Sequence, residues 1–550
     1  MSALAKQPDT SAIGQAAANL LFKSRLYRMS LSGRHPVQLA VKPEDPWPGD
    51  PATADDLFRG TFRFADADVV LPNQSPWTVT PPNDGWWEAM HGFVWLRDFA
   101  AAGGEAAQRH ARALVKAWLD HWSDYDADVW RSDVLGRRMI SWISQGRFLL
   151  DDAEPMFRSS ALDSLARQAR HLTRTVRMCP SGSPRLTAAA GLVFSGAALP
   201  DGAGRLKRGL KVLGEEIDRQ VLPDGGHISR NPLVHHQVLR DLIAVRCCLE
   251  ACKTPIPESL QAAIARMAPM LRFFRHSDRG LALFNGANQA DPAALDLTLA
   301  KSDCGDQPPA SATNTGFERI ANGATLLLIE TGPGDNEANK TGHAGLLSFE
   351  ASADGERLIV NCGAPADTGD EWAQALAATA AHSTVTVGER NSAEVKPGRG
   401  IGHPPTSDRC ERNEADGQVW IEAAHHGYEQ PFALTHRRRL YLDETGIDLR
   451  GEDVLRSTNL RKSDGVPFAA RFHLHPDVTA SLLGEGTGAL LRTPSGAGWQ
   501  FKAAGGAVTM QESVYLGIPG RKRRSEQIVV SGRCDGKETK INWVLSRVAH

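Results

Sequence analysis

The side chains best suited to chemistry fall in two places. His343, Asn361 and His382 stand in GHAGLLSFEASADGERLIVNCG and TAAHSTVTV, near the ends of strand-like segments. Two imidazoles and an amide can converge there, and imidazole is the side chain whose charge changes near neutral pH. Read from residue types alone, the same groups are better explained as hydrogen-bonded imidazoles tying strands together. The second place is LPDGGHISRNPLVHHQVLR, where His227, Arg230, Asn231, His235 and His236 gather at the start of a long helix. Free amides and the helix dipole favour anions at such a start. Asn231 followed by Pro232 is also a favourable N-cap, and it can cap and contact a ligand at once. His235 and His236 are adjacent, so at most one faces a given groove.

Two basic runs are less specific. Strand alternation divides His436, Arg437, Arg438 and Arg439 between two faces, while Arg521 to Arg524 reads as a solvated surface. Trp86, Trp87, Trp118, Trp122, Trp130 and Trp142 could stack on sugars, yet most lie at the spacing of a helical core.

These residues need two different scaffolds. From Gly85 to about His276 apolar residues recur three and four apart, as in EAAQRHARALVKAWLDHW and DVLGRRMISWISQGRFLL, which predicts amphipathic helices. Gly103-Gly104, Asp151-Asp152, Asp201-Gly202 and Pro223 to Gly226 supply the breaks, so consecutive helices should run antiparallel. Near residue 300 the polar stretch SDCGDQPPASATNTG marks a boundary, and beyond it the repeat becomes two, as in ATLLLIE, ERLIVNCG and KINWVLSRV. The expected organisation is a lead-in over 1–75, a helical domain over 76–305 and an antiparallel β-sandwich over 306–550. Asp354-Gly355 between LLSFEAS and ERLIVN predicts a tight hairpin.

The bulk numbers bound the function. A chain of 550 residues exceeds a single core. Lys plus Arg (62) nearly cancel Asp plus Glu (64), so no global field draws the chain to nucleic acid. No apolar run approaches a membrane span, and the start MSALAKQPDTSAIGQAAANLLFKSRLYRMS lacks the pattern of an export signal. Eight cysteines without a CxxC framework read as free thiols.

The ordered combination of His343 before LLSFE, Asn361 eighteen residues on and His382 in AAHST resembles the heparinase II/III family of polysaccharide lyases. The Trp-rich helices, LPDGGHISRNP, HRRRLYLDETGIDLRGED and RFHLHPDV extend the resemblance over residues 85 to 550. It implies an incomplete (α/α) toroid followed by an antiparallel β-sandwich. The implied activity is β-elimination on an acidic, uronate-containing polysaccharide or oligosaccharide: a base removes the proton beside the carboxylate, a neutralising group meets that carboxylate, and an acid helps the leaving oxygen depart.

The resemblance also implies roles for residues. His343, Asn361 and His382 occupy the family's metal positions, which implies a structural zinc site weakened by an amide where the family has a carboxylate. Thr341 stands where the family has its base, Ser183 in its neutraliser region, and Val234 at its tyrosine. The nearby groups are therefore expected to substitute: His235, Asn231 and Arg230 in catalysis, with His227, His236, Ser183 and Arg437 contacting substrate. The family implies the periplasm or cell envelope, against a start that shows no export signal. Two rival expectations are a diverged glycan-binding protein and a scaffold in envelope assembly.

Overall fold

The computed structural model describes residues 12–72, 74–332, 342–365, 371–396, 400–402 and 404–548. They form two compact units: Met1–Arg219 with Arg240–Ala262, and Gln220–Leu239 with Ala263–His550. The long helices Pro232–Ala251 and Glu258–Phe273 each run from one unit into the other.

The first unit is helical, as the apolar spacing predicts. Its longer helices are Gly104–Trp122, Ser132–Ser144, Pro155–Thr175, Ser183–Ala198 and Ala203–Gln220. Ser132–Ser144 and Ser183–Ala198 cross at two glycines. A Cβ on Gly191 would lie 2.4 Å from the Gly136 Cα, and one on Gly136 would lie 2.6 Å from the Thr187 carbonyl oxygen. Glycine at both positions lets the backbones touch. Trp86, Trp118, Trp130 and Trp142 are buried, which is the core role their spacing predicts. Arg138 lies among them, donating to Gln168 Oε1 (2.7 Å), the His91 carbonyl (2.8 Å) and the Val129 carbonyl (3.0 Å). Residues 61–70, within the lead-in, form a hairpin of Thr61–Phe64 and Ala67–Val70.

The second unit is dominated by two antiparallel sheets, the sandwich expected from the two-residue repeat. One sheet runs in the order Ala507–Ile518, Arg521–Arg533, Pro467–Leu474, Glu356–Val360, Phe349–Ala353, Thr325–Glu330, Phe317–Asn322, Ser311–Ala312, with Val385–Val387 also paired to Pro467–Leu474. The other is built from Glu411–Ala415, Gln418–His425, Leu434–Leu442, Asp448–Ser457, Glu538–Arg547, Gly498–Ala504, Gly488–Arg492 and Thr479–Leu482. Ile320, Leu327, Phe472 and Trp499 fill the core, and Phe349 stacks on Trp543 with centroids 5.3 Å apart. The hairpin at Asp354-Gly355 forms as predicted, with both residues at positive φ (51° and 81°). No helix among the described residues is long and apolar enough to cross a membrane.

Candidate functional site

The Phe349–Ala353 hairpin strand, the loop before it and the turn at Thr379–Ala381 bring the two family-pattern histidines together. His343 Nδ1 and His382 Nε2 lie 3.2 Å apart, with the rings edge to face. Gly345 makes room, since a Cβ there would come within 2.7 Å of the His382 ring. His382 Nδ1 is 2.8 Å from the Ala378 carbonyl, which can only accept, so that nitrogen carries the proton. His382 Nε2 then accepts from His343 Nδ1, and one lone pair remains, on His343 Nε2. A Cβ on Gly286 would lie 3.2 Å from that atom and 3.7 Å from Asn231 Nδ2, so both atoms face the same glycine. The backbone N–H of His343 donates to Asn285 Oδ1 at 3.1 Å.

Burial keeps both rings neutral. It pushes His382 down to about 4, and together with the His382 ring it holds His343 well below the ordinary imidazole range. The uncharged pair therefore needs no counter-ion.

Asn361 is close in the fold but turned to another task. Its Oδ1 accepts from the Ser383 N–H at 3.0 Å, its own N–H donates to Glu350 Oε1 at 2.9 Å, and its buried Nδ2 has no partner among the described residues. This corrects the zinc expectation. Among the described residues no group of three His, Cys, Asp or Glu could hold a metal ion. The reason is local: one ligand oxygen caps a backbone N–H, and the imidazole nitrogens that should point at a cation point at each other and at a carbonyl. Thr341 lies outside the described residues.

The helix-start cluster is equally interlocked. Arg230, at φ 57°, pairs with Glu330 at 3.0 Å, donates to the Thr315 and Gly316 carbonyls, and sits over the Phe317 ring; pair and ring are buried. Asn231 Oδ1 caps the N–H groups of Leu233 and Val234 (2.8 and 3.0 Å), while its Nδ2 donates to the Asn285 carbonyl. His227 Nε2 donates to Gln220 Oε1 at 3.0 Å, His235 Nε2 donates to the Met267 carbonyl at 2.9 Å, and His236 Nε2 lies 3.0 Å from Thr298 Oγ1. Burial pushes His227 down to about 3 and His235 to about 4. Asn231, Asn285 and His343 thus adjoin, with Arg230 joined to them through the Asn285 side chain, which donates to the Arg230 carbonyl at 3.3 Å.

Ser183 and Arg437 stand apart from this group. Ser183 begins its helix and lines a cavity of about 300 Å³ within the helical unit, with Glu88, Asp133, Arg137 and Thr187. Arg137 is already neutralised by Asp241, both of whose oxygens it meets (2.6 and 2.8 Å), and Arg131 bonds Asp133 and Glu88. Arg437 lies half-exposed on the outer face of its sheet, 3.5 Å from Glu422.

Several central residues lie inside the quoted motifs, Glu350 in LLSFE and Asp453 in HRRRLYLDETGIDLRGED, but the local pattern gave them no role. Glu350 accepts from His276 Nε2 (2.8 Å) and the Leu283 N–H, and Asp453 holds His436 (2.8 Å) and Arg438 (2.7 Å). Arg438 continues to the Ser383 and Leu347 carbonyls, both at 2.8 Å, bracing the His382 segment from the opposite sheet. On the outer face, Trp420, Tyr441, Arg450, Val544 and Lys502 are register partners across five strands. They line an open groove of about 930 Å³. The period-two pattern could have placed these side chains on one face, but not the strand order that makes them a row.

A helical unit followed by a two-sheet antiparallel sandwich is the fold class that the site sits in. Residues 77–301 match the family description "Heparinase II/III N-terminus", and residues 305–544 match "Heparinase II/III-like, C-terminal". The chain is 31% identical over 546 residues to "FtsZ-localized protein C" of Caulobacter vibrioides, covering 96% of this chain and 93% of that one. The chain belongs to the heparinase II/III-like family. Its fold resembles a crystal structure of heparinase III (TM-score 0.73, 15% identity, 97% of this chain and 90% of that one). It also resembles a mutant heparan sulfate lyase of Pedobacter heparinus (TM-score 0.65, 16% identity, 98% and 90%).

Proposed function

We propose that this chain is a diverged family member that works as a binding protein associated with FtsZ, on a lyase scaffold that no longer performs β-elimination. One observation carries the reading: the proton chain Ala378–His382–His343 leaves a single imidazole lone pair, and burial of that ring holds its basicity well below the ordinary imidazole range. A general base works best with a pKa near the operating pH. Two further features support it. The Ser183 cavity has its arginine paired with Asp241 and its carboxylates Glu88 and Asp133 paired with Arg131, so its lining among the described residues leaves no unpaired cation to neutralise a uronate. The relative that covers nearly the whole chain is named for its localisation with FtsZ.

Sedimentation with assembled FtsZ tests the proposal. The full chain should pellet with polymer and stay in solution with unassembled FtsZ; equal distribution in both would overturn the association.

The second reading is elimination on an acidic glycan, with His343 Nε2 as base and Asn231 Nδ2 polarising the uronate. The approach of both atoms to Gly286 favours it. It requires that His343→Ala abolish product formation.

A further inference from the structure

A cleft in the helical unit holds more positive charge than its surroundings balance. It is enclosed by the segment Arg34 to Gln38, by Arg170 on the helix Pro155–Thr175, and by Leu199 to Asp201 with Arg205 at the start of Ala203–Gln220; its volume is about 350 Å³. Arg170 is fixed by two carbonyls, donating to Leu31 at 2.6 Å and Arg34 at 2.9 Å. Gly33 lets it lie flat against the chain, since a Cβ there would come 2.9 Å from its Nη2. Arg205 donates through Nη2 to the Pro200 carbonyl at 3.2 Å, and its Nε is enclosed without a partner among the described residues. These carbonyls satisfy donors but carry no charge. The carboxylate lining the cleft is Asp201, 3.3 Å from Arg34 in a pair that is largely exposed (82% and 72%). His35, also at the wall, is paired with Asp163 at 2.5 Å, a carboxylate that does not line the cleft.

Three guanidinium groups therefore face one acidic partner. Burial first and the Arg170 charge second push the Arg205 pKa down, and Asp201 offsets this only in part, so the net effect on the guanidinium is unfavourable.

We propose that this cleft binds a phosphate group, with Arg34, Arg170 and Arg205 meeting its oxygens. A tetrahedral oxyanion offers several acceptors at once to planar guanidinium forks, which suits three arginines converging from three chain segments better than a single carboxylate would. The space admits a phosphate with a small substituent. That group could be a soluble phosphate compound or a phospholipid headgroup at the mouth, where Val37 is 85% exposed. The inference does not depend on the FtsZ association and fails separately from it.

The test uses the full chain with two probes: inorganic phosphate in calorimetric titration, and vesicles of phosphatidylglycerol or phosphatidylcholine in flotation. Arg205→Gln removes the enclosed charge. Arg34→Gln, at a largely exposed side chain, provides a variant whose folding is not in question. Phosphate binding that weakens at least tenfold in both variants supports a soluble ligand. Flotation with phosphatidylglycerol alone, lost in both variants, supports a headgroup. Binding of neither probe, or binding unchanged in both variants, overturns the proposal.

Discussion

Around His343 every charge is answered and most polar groups are matched, imidazole to imidazole, imidazole to carbonyl, Arg230 to Glu330, Asn361 to Ser383, and the groups left over, Asn361 Nδ2 and His343 Nε2, are uncharged. Around Arg205 the donors outnumber the charges that could answer them, and one enclosed N–H has no partner among the described residues. The first arrangement is what buried polar groups require to be tolerated, and it ties segments of the second unit together. The second persists because it is partly solvated, and it leaves capacity for a ligand. Residue types alone would have favoured the first region as the working site. The difference teaches that a cluster of histidines marks function only when some of its nitrogens are left over at a usable pKa.

The comparison can be broken at its closed side first. Glu330→Ala should lose about 3–5 kcal/mol in urea unfolding, because Arg230 remains buried without its partner. Replacing both with apolar residues of similar size should recover much of the loss. A loss below 1 kcal/mol in the single variant would mean that the pair is open to water.

His382→Ala should cost about 1–3 kcal/mol, leaving the Ala378 carbonyl and His343 Nδ1 without their partner. Zinc content and chelator sensitivity should be the same in this variant and the parent.

Acid provides a graded test. The folded pKa values of His227, His235 and His382 lie at about 3 to 4, below the unfolded value of about 6.5. The unfolded chain therefore binds more protons between these limits, and stability falls as pH drops from about 6.5 towards 4. Each such imidazole should cost roughly 1.4 kcal/mol at one unit below its unfolded pKa. The pH dependence of the unfolding midpoint should lose part of its slope in His227→Gln. An unchanged slope would place that imidazole in water.

At the open side the expected effect is smallest. Arg34→Gln should change stability by no more than about 0.5 kcal/mol in phosphate-free buffer. A larger loss would mean that Arg34 is part of the packing.

Features set by local pattern were legible in the sequence. The helical and strand periods, the Asp354-Gly355 turn and the cap at Asn231 each depend on residues within a few positions. Alternation also placed His436 and Arg438 on one face and Arg437 and Arg439 on the other, as the buried and exposed pattern of that strand has it. The partners of the histidines were not legible. Asn285 is 58 residues from His343, and Glu350 is 74 from His276. Nothing in a local period says which distant carboxylate or amide will meet a given imidazole. The zinc expectation failed for the same reason: the family resemblance marked His343, Asn361 and His382 but could not show that the two imidazoles would face each other. The arginine cleft escaped notice because Arg34, Arg170 and Arg205 come from separate segments, the first of them read as a lead-in.

The most direct measurement of the central claim is ultraviolet absorbance during incubation of the full chain with heparan sulfate and other uronate polymers, since β-elimination leaves an unsaturated, absorbing sugar. The account predicts no increase above the protein-free control. A steady increase that disappears in His343→Ala would contradict it and restore the chain to the lyases whose fold it shares.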